Sequence, residues 1–494
     1  MYIKIILFSF LLFQAQFLSA QNSDASLLNK KFTTKELLQD LAIIKDSLQL
    51  VHPALYRYQT SEQFETGFNT VSSNLSKVNS VSGFYSLVSP LLSSVGDLHT
   101  TIELPDEFYS EVASNSLLIP VDIRIIDNKI FVVSDNTKDS SVGLGNRILK
   151  INDRKASDVI GEMKKYFSAE GSNQTFKTKR IEQRFAFLHS IAYGESRKIR
   201  LEILSESKNK FTRNIDALPF AVIRQNRAKN QKHFPAIKSL FVQEPFLSLS
   251  VDDQNKNAVL TIKWFQNDVL ESAGLMFKKF IDSAFSRINE VKVKNLIIDI
   301  RNNGGGESAN AAYLYSWLSD RPFRFLYAMD TNRINYGIDS IAGVRYEYVR
   351  ELEKYRTRDS NAGEQRFFGL DFQHPQENNF RGNVYVLIDG LTVSAAPQFA
   401  ALIKNNRRGV LIGEEAPGTI NGGSGRGYSY FRLPNTGMLV MISQYRLYLT
   451  DPESNVRDQC VRPDLFVSKT IRDIIKGKDP EMDLAEKMIK KNLN

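Results

Sequence analysis

The sequence predicts an α/β protein whose core is a sheet layered against helices. Residues 295–301 and 384–388 are short, apolar and β-branched, and each run ends at turn residues, which is typical of buried strands. Residues 269–291 carry apolar side chains at helical spacing and predict one amphipathic helix. Strands that alternate with helices in this way imply a layered α/β arrangement.

Ser394 lies between the strand 384–388 and a predicted helix with Pro397 in its first turn. A serine at such a junction is placed where helix N-terminal amides point, and these amides can stabilise a developing oxyanion. The alternative is that Ser394 caps the helix, since serine is a favoured N-cap residue. The local sequence by itself favours the capping role.

Three glycines, Gly304 to Gly306, follow the strand 295–301. Glycines after a strand let the backbone approach another group closely and present its N–H groups. An ordinary loop and a weak phosphate cradle are the alternatives. The phosphate alternative lacks the GxGxxG and GxxxxGK[ST] patterns.

Together, these stretches resemble peptidase family S41, the C-terminal processing proteases, tricorn-like proteases and their relatives. The resemblance implies a ClpP/crotonase-like core in which Ser394 is the nucleophile. It also implies that the amides of Gly305 (or Gly304) and Ala395 hold the oxyanion. The matching segments, in the order of the family, are Asp299-Ile-Arg-Asn-Asn-Gly-Gly-Gly306, Thr392-Val-Ser-Ala-Ala396, Gly409-Val-Leu-Ile-Gly-Glu414 and Cys460-Val-Arg-Pro-Asp464.

His99 is the predicted general base, in the segment Asp97-Leu-His-Thr100. Imidazole suits this role because its pKa lies near working pH. Tricorn-like S41 members carry an Asp-Gly-His-Thr or Ser-His motif in this region, and the resemblance implies that His99 is the base. Leu98 replaces the usual glycine or serine. His52, in a His-Pro pair that ends a predicted helix, is interpreted as structural.

The predicted third catalytic group is a carboxylate. In the family it tends to lie just before the segment 460–464, where this sequence has Arg457 in place of glutamate. Asp458 is therefore preferred, and Glu453 is the alternative. Other S41 members pair the serine with a downstream lysine, but Thr419 occupies that position here. The resemblance thus favours the serine–histidine style of catalysis.

The chain is predicted to contain an N-terminal helical region and a β-rich, PDZ-like domain before the core. Val142 to Asp153 resembles the part of a PDZ domain that runs from its small helix into a strand, and PDZ domains bind peptide ends by strand addition. An ordinary β-rich insert is the alternative. The predicted segments are 1–20 (signal peptide), 21–111 (helical region with His99), 112–215 (PDZ-like), 216–245 (linker), 246–475 (S41 core) and 476–494 (C-terminal helical tail).

The N-terminus has the pattern of a secretory signal peptide. Lys4 precedes an apolar run that is too short to span a bilayer comfortably, and cleavage is expected before Gln21. We therefore expect a bacterial periplasmic or secreted protein with no integral membrane segment after signal removal. The single cysteine, Cys460, cannot form an internal disulfide. The net charge of +9 comes from scattered basic residues, which favours a solvated surface over a nucleic-acid site.

The predicted chemistry is acyl transfer on a peptide or unfolded protein. No metal or organic cofactor is expected, because an HExxH motif is absent and the five histidines are dispersed. A catalytically inactive S41-like peptide-binding protein is the main alternative, favoured by Leu98, Thr419 and Arg457. An esterase acting through the same site is a third hypothesis.

Overall fold

The structure is a computed structural model that describes residues 26–233, 245–332, 347–349, 354–357, 369–454 and 459–492. These ranges contain 13 α-helices, one 3₁₀ helix (Leu75–Lys77) and 24 strands. The predicted signal peptide and Asp458 lie outside the described residues. Within these ranges, no helix combines the length and the apolar character needed to cross a membrane.

Four helices precede the β-rich part of the chain, which confirms the predicted N-terminal helical region. The first helix begins with a capping box, in which the Thr33 hydroxyl accepts from the Glu36 N–H and the Glu36 carboxylate accepts from the Thr33 N–H. It ends before Pro53, which cannot continue a helix. The helices are α1 (Thr34–Val51), α2 (Ser61–Asn74), α3 (Val81–Ser93) and α4 (Asp106–Asn115).

A six-stranded sheet forms most of the next part, with strand order β3-β4-β5-β7-β8 and β6 paired to β5. Strands β3 and β4 form a hairpin at Asp127-Asn128, and both turn residues have positive φ, 50° and 57°. The PDZ-like interpretation stays a prediction. The elements are β2 (Leu117–Leu118), β3 (Val121–Ile126), β4 (Lys129–Asp135), β5 (Arg147–Ile151), β6 (Arg154–Lys155), α5 (Ala156–Lys164), α6 (Thr175–Tyr193), β7 (Lys198–Leu204), β8 (Lys210–Asp216) and β9 (Leu218–Pro219).

A helix, α7 (Phe220–His233), occupies the segment that was predicted as a linker. Tertiary contacts stabilise this polar helix. The Arg227 guanidinium pairs with Asp122 on β3 at 2.6 Å, and Asn230 donates to the backbone oxygen of Asp135 at 2.7 Å. The linker boundaries stay a prediction, and the helix was not expected because composition alone does not reveal such long-range partners.

The predicted layered α/β core is a second six-stranded sheet, in the order β10-β11-β12-β18-β19-β24. Strand β10 is antiparallel to β11, and the other neighbours are parallel. Side chains alternate between two faces, so Leu296 packs with the main helices whereas Ile297 packs against the C-terminal helix. The strands are β10 (Leu247–Asp252), β11 (Asn257–Ile262), β12 (Asn295–Asp299), β18 (Asn383–Ile388), β19 (Val410–Gly413) and β24 (Leu465–Phe466).

Six helices accompany this sheet. The single helix predicted over 269–291 is two helices, because Gly274 adopts a left-handed φ of 73° that ends the first one. The last helix lies within the predicted C-terminal helical tail, 476–494. The helices are α8 (Asn267–Ser272), α9 (Phe277–Val291), α10 (Ser308–Ser316), α11 (Ala395–Asn405), α12 (Ile471–Lys476) and α13 (Pro480–Asn492).

A third sheet joins the two ends of the chain, in the order β1-β22-β14-β16-β15 with β21 also paired to β22. Strand β1 pairs antiparallel with β22, so that Thr101 faces Met441. This pairing brings the N-terminal region to the core. The strands are β1 (Thr101–Glu103), β14 (Ala328–Thr331), β15 (Glu347–Val349), β16 (Lys354–Thr357), β21 (Ser424–Arg432) and β22 (Leu439–Tyr448).

Two small strand pairs complete the described elements. They are β13 (Phe323–Arg324) with β17 (Phe372–Gln373), and β20 (Ala416–Thr419) with β23 (Cys460–Val461). The described part of the segment 320–380 thus contains β13 to β17.

Candidate active site

Ser394 adopts a strained backbone conformation at the junction of β18 and α11. Its φ is 59° and its ψ is −116°, and its side chain makes no capping hydrogen bond to α11. The capping role that local sequence favoured is therefore wrong. Such backbone strain in a non-glycine residue costs about 1–3 kcal/mol and clusters at functional sites. A strained strand-to-helix turn is also the arrangement that exposes a nucleophilic serine in other hydrolases.

The carboxylate of Asp389, which follows β18, holds this turn together. Its Oδ1 accepts from the Asn302 N–H at 2.9 Å and from the Leu391 N–H at 3.0 Å. The Thr392 hydroxyl contacts the backbone oxygen of Ile300 at 3.0 Å. These bonds join the end of β18 to the end of β12, so the serine turn and the glycine loop are fixed relative to each other.

The glycine loop contacts Ser394 directly because β12 and β18 are adjacent parallel strands, with Asp299 facing Leu387. Loops after the carboxyl ends of adjacent parallel strands share one edge of the sheet. A Cβ on Gly305 would lie 2.5 Å from the Cβ of Ser394 and 3.2 Å from its Oγ. Gly305 also has a φ of 83°. Glycine is therefore needed here for both space and conformation.

The amides predicted to hold the oxyanion differ in their availability. The Gly305 N–H donates to Asn303 Oδ1 at 2.8 Å, and the Gly304 N–H donates to the backbone oxygen of Lys263 at 3.1 Å. Both amides are occupied in this conformation, and their role in oxyanion binding stays a prediction. The Ala395 N–H belongs to the first turn of α11, whose amides have no intrahelical acceptor. It lies at the positive end of the helix dipole.

Asn303 is a positioning residue that the sequence analysis did not single out. It is fully buried, and its Nδ2 donates to the backbone oxygen of Ile262 at 2.9 Å. Its backbone oxygen accepts from the Val393 N–H at 2.9 Å. Asn303 thus connects Gly305 to the residue before Ser394. The only signal in the sequence is its place in the segment 299–306.

His99 reaches the same site from the N-terminal region, immediately before β1. Burial lowers its pKa, against the charge of Asp97 and an interaction with the Ser424 backbone, which raise it. Its Nδ1 is buried without a hydrogen-bond partner and lies 4.0 Å from Asp97 Oδ1. At neutral pH the imidazole is therefore held in its neutral, proton-accepting form.

Tyr428, on β21, lies between His99 and Ser394. Its ring centroid is 5.6 Å from that of His99, and the planes are inclined by 32°. Burial raises the pKa of its phenol, although a hydrogen bond with Ser394 opposes the rise. The sequence analysis missed this residue, because only the pairing of β1 with β22 brings β21 beside His99.

Ser394 and His99, both within the described part of the chain, are brought to one site without a direct hydrogen bond between them. A Cβ on Gly425 would lie 3.6 Å from the Tyr428 hydroxyl and 3.8 Å from His99 Cε1, so both groups border one position. Catalytic hydrogen bonds are often long in the absence of substrate and tighten when it binds. The arrangement is thus compatible with a serine–histidine pair.

The predicted third group cannot be placed, since Asp458 lies outside the described residues. Its alternative, Glu453, is exposed in the turn after β22. Thr419 is buried where other S41 members carry lysine, and its hydroxyl lies 3.3 Å from the Arg57 guanidinium. Arg57 also pairs with the buried Glu170 at 2.7 Å.

Asp97 is the carboxylate that the structure places beside His99. It is buried, and it accepts hydrogen bonds from His52, from the His99 N–H and from Thr100, each at 2.8 Å. Burial alone would raise its pKa, but the His52 hydrogen bond and the other donors outweigh burial and hold the pKa well below its usual range. Asp97 is therefore ionised at neutral pH.

Within the described ranges, no cluster of three or more His, Cys, Asp or Glu side chains could hold a metal ion.

A sequence profile of the family described as "Peptidase family S41" matches residues 256–467. Residues 256–467 therefore form an S41 peptidase region. The match assigns it to the hydrolases as a serine peptidase, acting on peptides or proteins. The matched S41 region contains Ser394 and the glycine loop, whereas His99 lies before it. No curated protein matches the chain.

Solved structures of CPAF share the fold of this chain. A structure of a CPAF point mutant has a TM-score of 0.65 and 15% identity, and it covers 92% of this chain and 97% of that chain. Mature CPAF has a TM-score of 0.62 and 16% identity, with the same coverage. Mature CPAF complexed with lactacystin has a TM-score of 0.61 and 15% identity, covering 92% and 98%. At this identity the similarity concerns the fold. The matched part of this chain is longer than the S41 region, residues 256–467.

Proposed function

We propose that the chain is an exported endopeptidase in which Ser394 is the nucleophile and His99 is the general base. The observation that carries this proposal is the strained, non-capping conformation of Ser394 against Gly305 and Tyr428. A serine that only capped α11 would bond to its first-turn amides in an unstrained conformation. The family match supplies the reaction class.

The proposed reaction is acyl transfer in two steps. His99 takes the Ser394 proton as Oγ attacks the peptide carbonyl, and it then gives that proton to the departing amine. The acyl group remains on Ser394. Water, deprotonated by His99, attacks this ester and releases the carboxylic acid and the free serine. The lowered pKa of His99 suits it to accept each proton.

The proposed oxyanion donor is the Ala395 N–H, at the N-terminus of α11. One such donor is worth roughly 3 kcal/mol of barrier. The Gly305 N–H adds a second donor when its bond to Asn303 is released. In this proposal, closure of the oxyanion site is a small movement of the glycine loop that accompanies substrate binding.

The test compares residues 21–494 with the variants Ser394→Ala and His99→Ala on casein, together with labelling by a fluorophosphonate. Ser80→Ala is the matched control, because Ser80 is a true N-cap whose hydroxyl accepts from the Gly83 N–H at 3.1 Å. We expect cleavage and labelling to vanish in Ser394→Ala, cleavage to fall at least 10³-fold in His99→Ala, and both to persist in Ser80→Ala. Unchanged cleavage by Ser394→Ala would refute the nucleophile.

A non-catalytic peptide-binding protein is the second candidate. It is favoured by the occupied amides of Gly304 and Gly305 and by the missing bond between Ser394 and His99. A folded parent that binds a labelled peptide, but neither cleaves casein nor reacts with a fluorophosphonate or lactacystin, would support it. Lactacystin is included because it is the compound in one CPAF complex.

Export is proposed from the signal-like residues 1–20 alone. Expression of the full chain in a bacterium, followed by fractionation and mass spectrometry, tests it. We expect mature protein beginning at Gln21 in the periplasm or the medium. A cytoplasmic protein that keeps residues 1–20 would contradict export without affecting the catalytic proposal.

A further inference from the structure

We propose that Asp97 is the carboxylate that orients His99, and that His52 is a positioning residue that keeps Asp97 in place. The inference rests on the proposed function and deepens it. It assigns the third group of the site to a residue two positions before the base, rather than to the C-terminal segment where the sequence predicted it.

The hydrogen bonds of Asp97 leave one acceptor site of its carboxylate unused, on the oxygen nearest the His99 ring. An ionised carboxylate offers about four lone-pair sites, two on each oxygen. On Oδ2, both are used by His52 Nε2 and the Thr100 hydroxyl. On Oδ1, one is used by the His99 N–H. The remaining site is on Oδ1, the atom that lies 4.0 Å from His99 Nδ1.

His99 Nδ1 is the atom that can use this acceptor site. It is buried and has no hydrogen-bond partner in the described part of the chain. A buried polar atom without a partner needs a physical explanation, because burial without a bond is unfavourable. When His99 takes the serine proton, its ring becomes a cation, and the attraction to Asp97 draws Nδ1–H toward Oδ1. Asp97 thereby stabilises the charged base and leaves Nε2 for Ser394.

His52 supplies a hydrogen-bond donor to Asp97. Its side chain is 1% exposed. The Ala54 N–H donates to Nδ1 at 3.1 Å, so Nδ1 is an acceptor and Nε2 is the nitrogen that donates to Asp97. Among the described residues, no lysine or arginine forms an ion pair with Asp97. The negative charge of Asp97 therefore remains available to His99.

The titratable groups that face His99 are Asp97, from its own segment, and Tyr428, from β21. Burial keeps the phenol of Tyr428 neutral in the working range, because it raises the pKa of that group. Asp97 is consequently the group whose charge acts on the base.

The test measures kcat, KM and the pH profile of Asp97→Asn. Asparagine keeps one acceptor oxygen, which can still serve the His99 N–H, and its amide can donate to the Thr100 hydroxyl, but it removes the charge. We expect kcat to fall at least 100-fold with little change in KM, and the acid limb of the profile to move down by about 1–3 pH units. In parent protein labelled with ¹⁵N, the Nδ1–H of protonated His99 should give a downfield proton signal that Asp97→Asn loses.

Asp40→Asn is the matched control, since Asp40 is another fully buried carboxylate with several donors, on α1. It is expected to lower stability without moving the acid limb. For His52, we expect His52→Gln, which keeps an N–H donor, to retain at least a third of kcat, and His52→Ala to lose tenfold or more. If Asp97→Asn fails to fold, the inference is tested by comparing His52→Gln with His52→Ala and by the Nδ1–H signal of His99 in the parent protein.

Three results would overturn the inference. The first is an Asp97→Asn variant whose kcat and acid limb are unchanged. The second is an equal effect of Asp40→Asn and Asp97→Asn on the pH profile. The third is a downward move of the acid limb in Asp458→Asn but not in Asp97→Asn. Failure of the proposed function is distinguishable, because Ser394→Ala or His99→Ala would then keep cleaving. Loss of activity in both of those variants, with Asp97→Asn active, refutes only the role of Asp97.

Discussion

Gly305→Ala is expected to abolish most peptidase activity while leaving the protein folded. The added Cβ would lie 2.5 Å from the Ser394 Cβ and 2.7 Å from the backbone oxygen of Val393. Ordinary contacts begin at 3.4 Å, so the serine turn must move by 3.4 − 2.5 = 0.9 Å. A misplacement of about 1 Å at a reacting group costs on the order of 100-fold in rate.

The same substitution also introduces backbone strain, because Gly305 has a φ of 83°. Holding alanine in a left-handed conformation costs about 1–2 kcal/mol. Gly274→Ala separates the two effects, since Gly274 has a φ of 73° and no atom within 4 Å of its added Cβ. Both variants should lose similar stability, and only Gly305→Ala should lose activity.

The assay measures kcat/KM on a fluorogenic peptide that copies a cleavage site in casein. Urea denaturation gives the free energy of unfolding of each variant. We expect kcat/KM to fall about 100-fold in Gly305→Ala and by less than threefold in Gly274→Ala. Activity within threefold of the parent in a folded Gly305→Ala would show that the glycine loop does not fix Ser394. Equal losses of activity in both variants would assign the effect to general destabilisation.

Two further predictions concern the base and the docking of α1. The pKa of His99 lies below its usual 6.5 because burial disfavours the imidazolium. We therefore expect kcat/KM to stay constant above pH 6.5 and to fall as the pH drops through the lowered pKa. An acid limb centred above pH 6.5 would contradict the assignment of His99 as the base. Asp40→Ala should reduce the free energy of unfolding by about 2–3 kcal/mol, because it leaves the buried Thr436 N–H and hydroxyl without their acceptor. Asp46→Ala, on the exposed side of α1, should change the free energy of unfolding by less than about 0.5 kcal/mol in the same urea titration. Equal effects of the two substitutions would refute the role of Asp40 in holding α1 to Thr436.

The elements of the core were predictable because their signals are local. Strands β12 and β18 are short apolar runs that end at turn residues, and α11 follows a serine with proline in its first turn. The two elements that were not predicted have one local cause and one long-range cause. Gly274 broke a predicted helix at a position where the apolar spacing continues, and α7 is held by Arg227 and Asn230, whose partners are about 100 residues away in the sequence.

The candidate site was predictable only in part. Ser394 and the glycine loop follow neighbouring strands, and the resemblance to family S41 named both. The resemblance also named His99. It did not reveal the state of the Gly305 amide, which Asn303 occupies, or the place of Tyr428 between base and nucleophile. Those features depend on side-chain packing between segments that are remote in the sequence.

The sequence by itself determined the type of each core element and the residues of the serine turn, because helix and strand periodicity and turn chemistry act over a few neighbouring residues. Only the tertiary structure decided which groups meet. The pairing of β1 with β22 brings His99 to Tyr428. Burial keeps His99 neutral, whereas hydrogen bonds that outweigh burial keep Asp97 ionised. Those properties depend on distance and desolvation in the folded chain, which no local pattern of residues encodes.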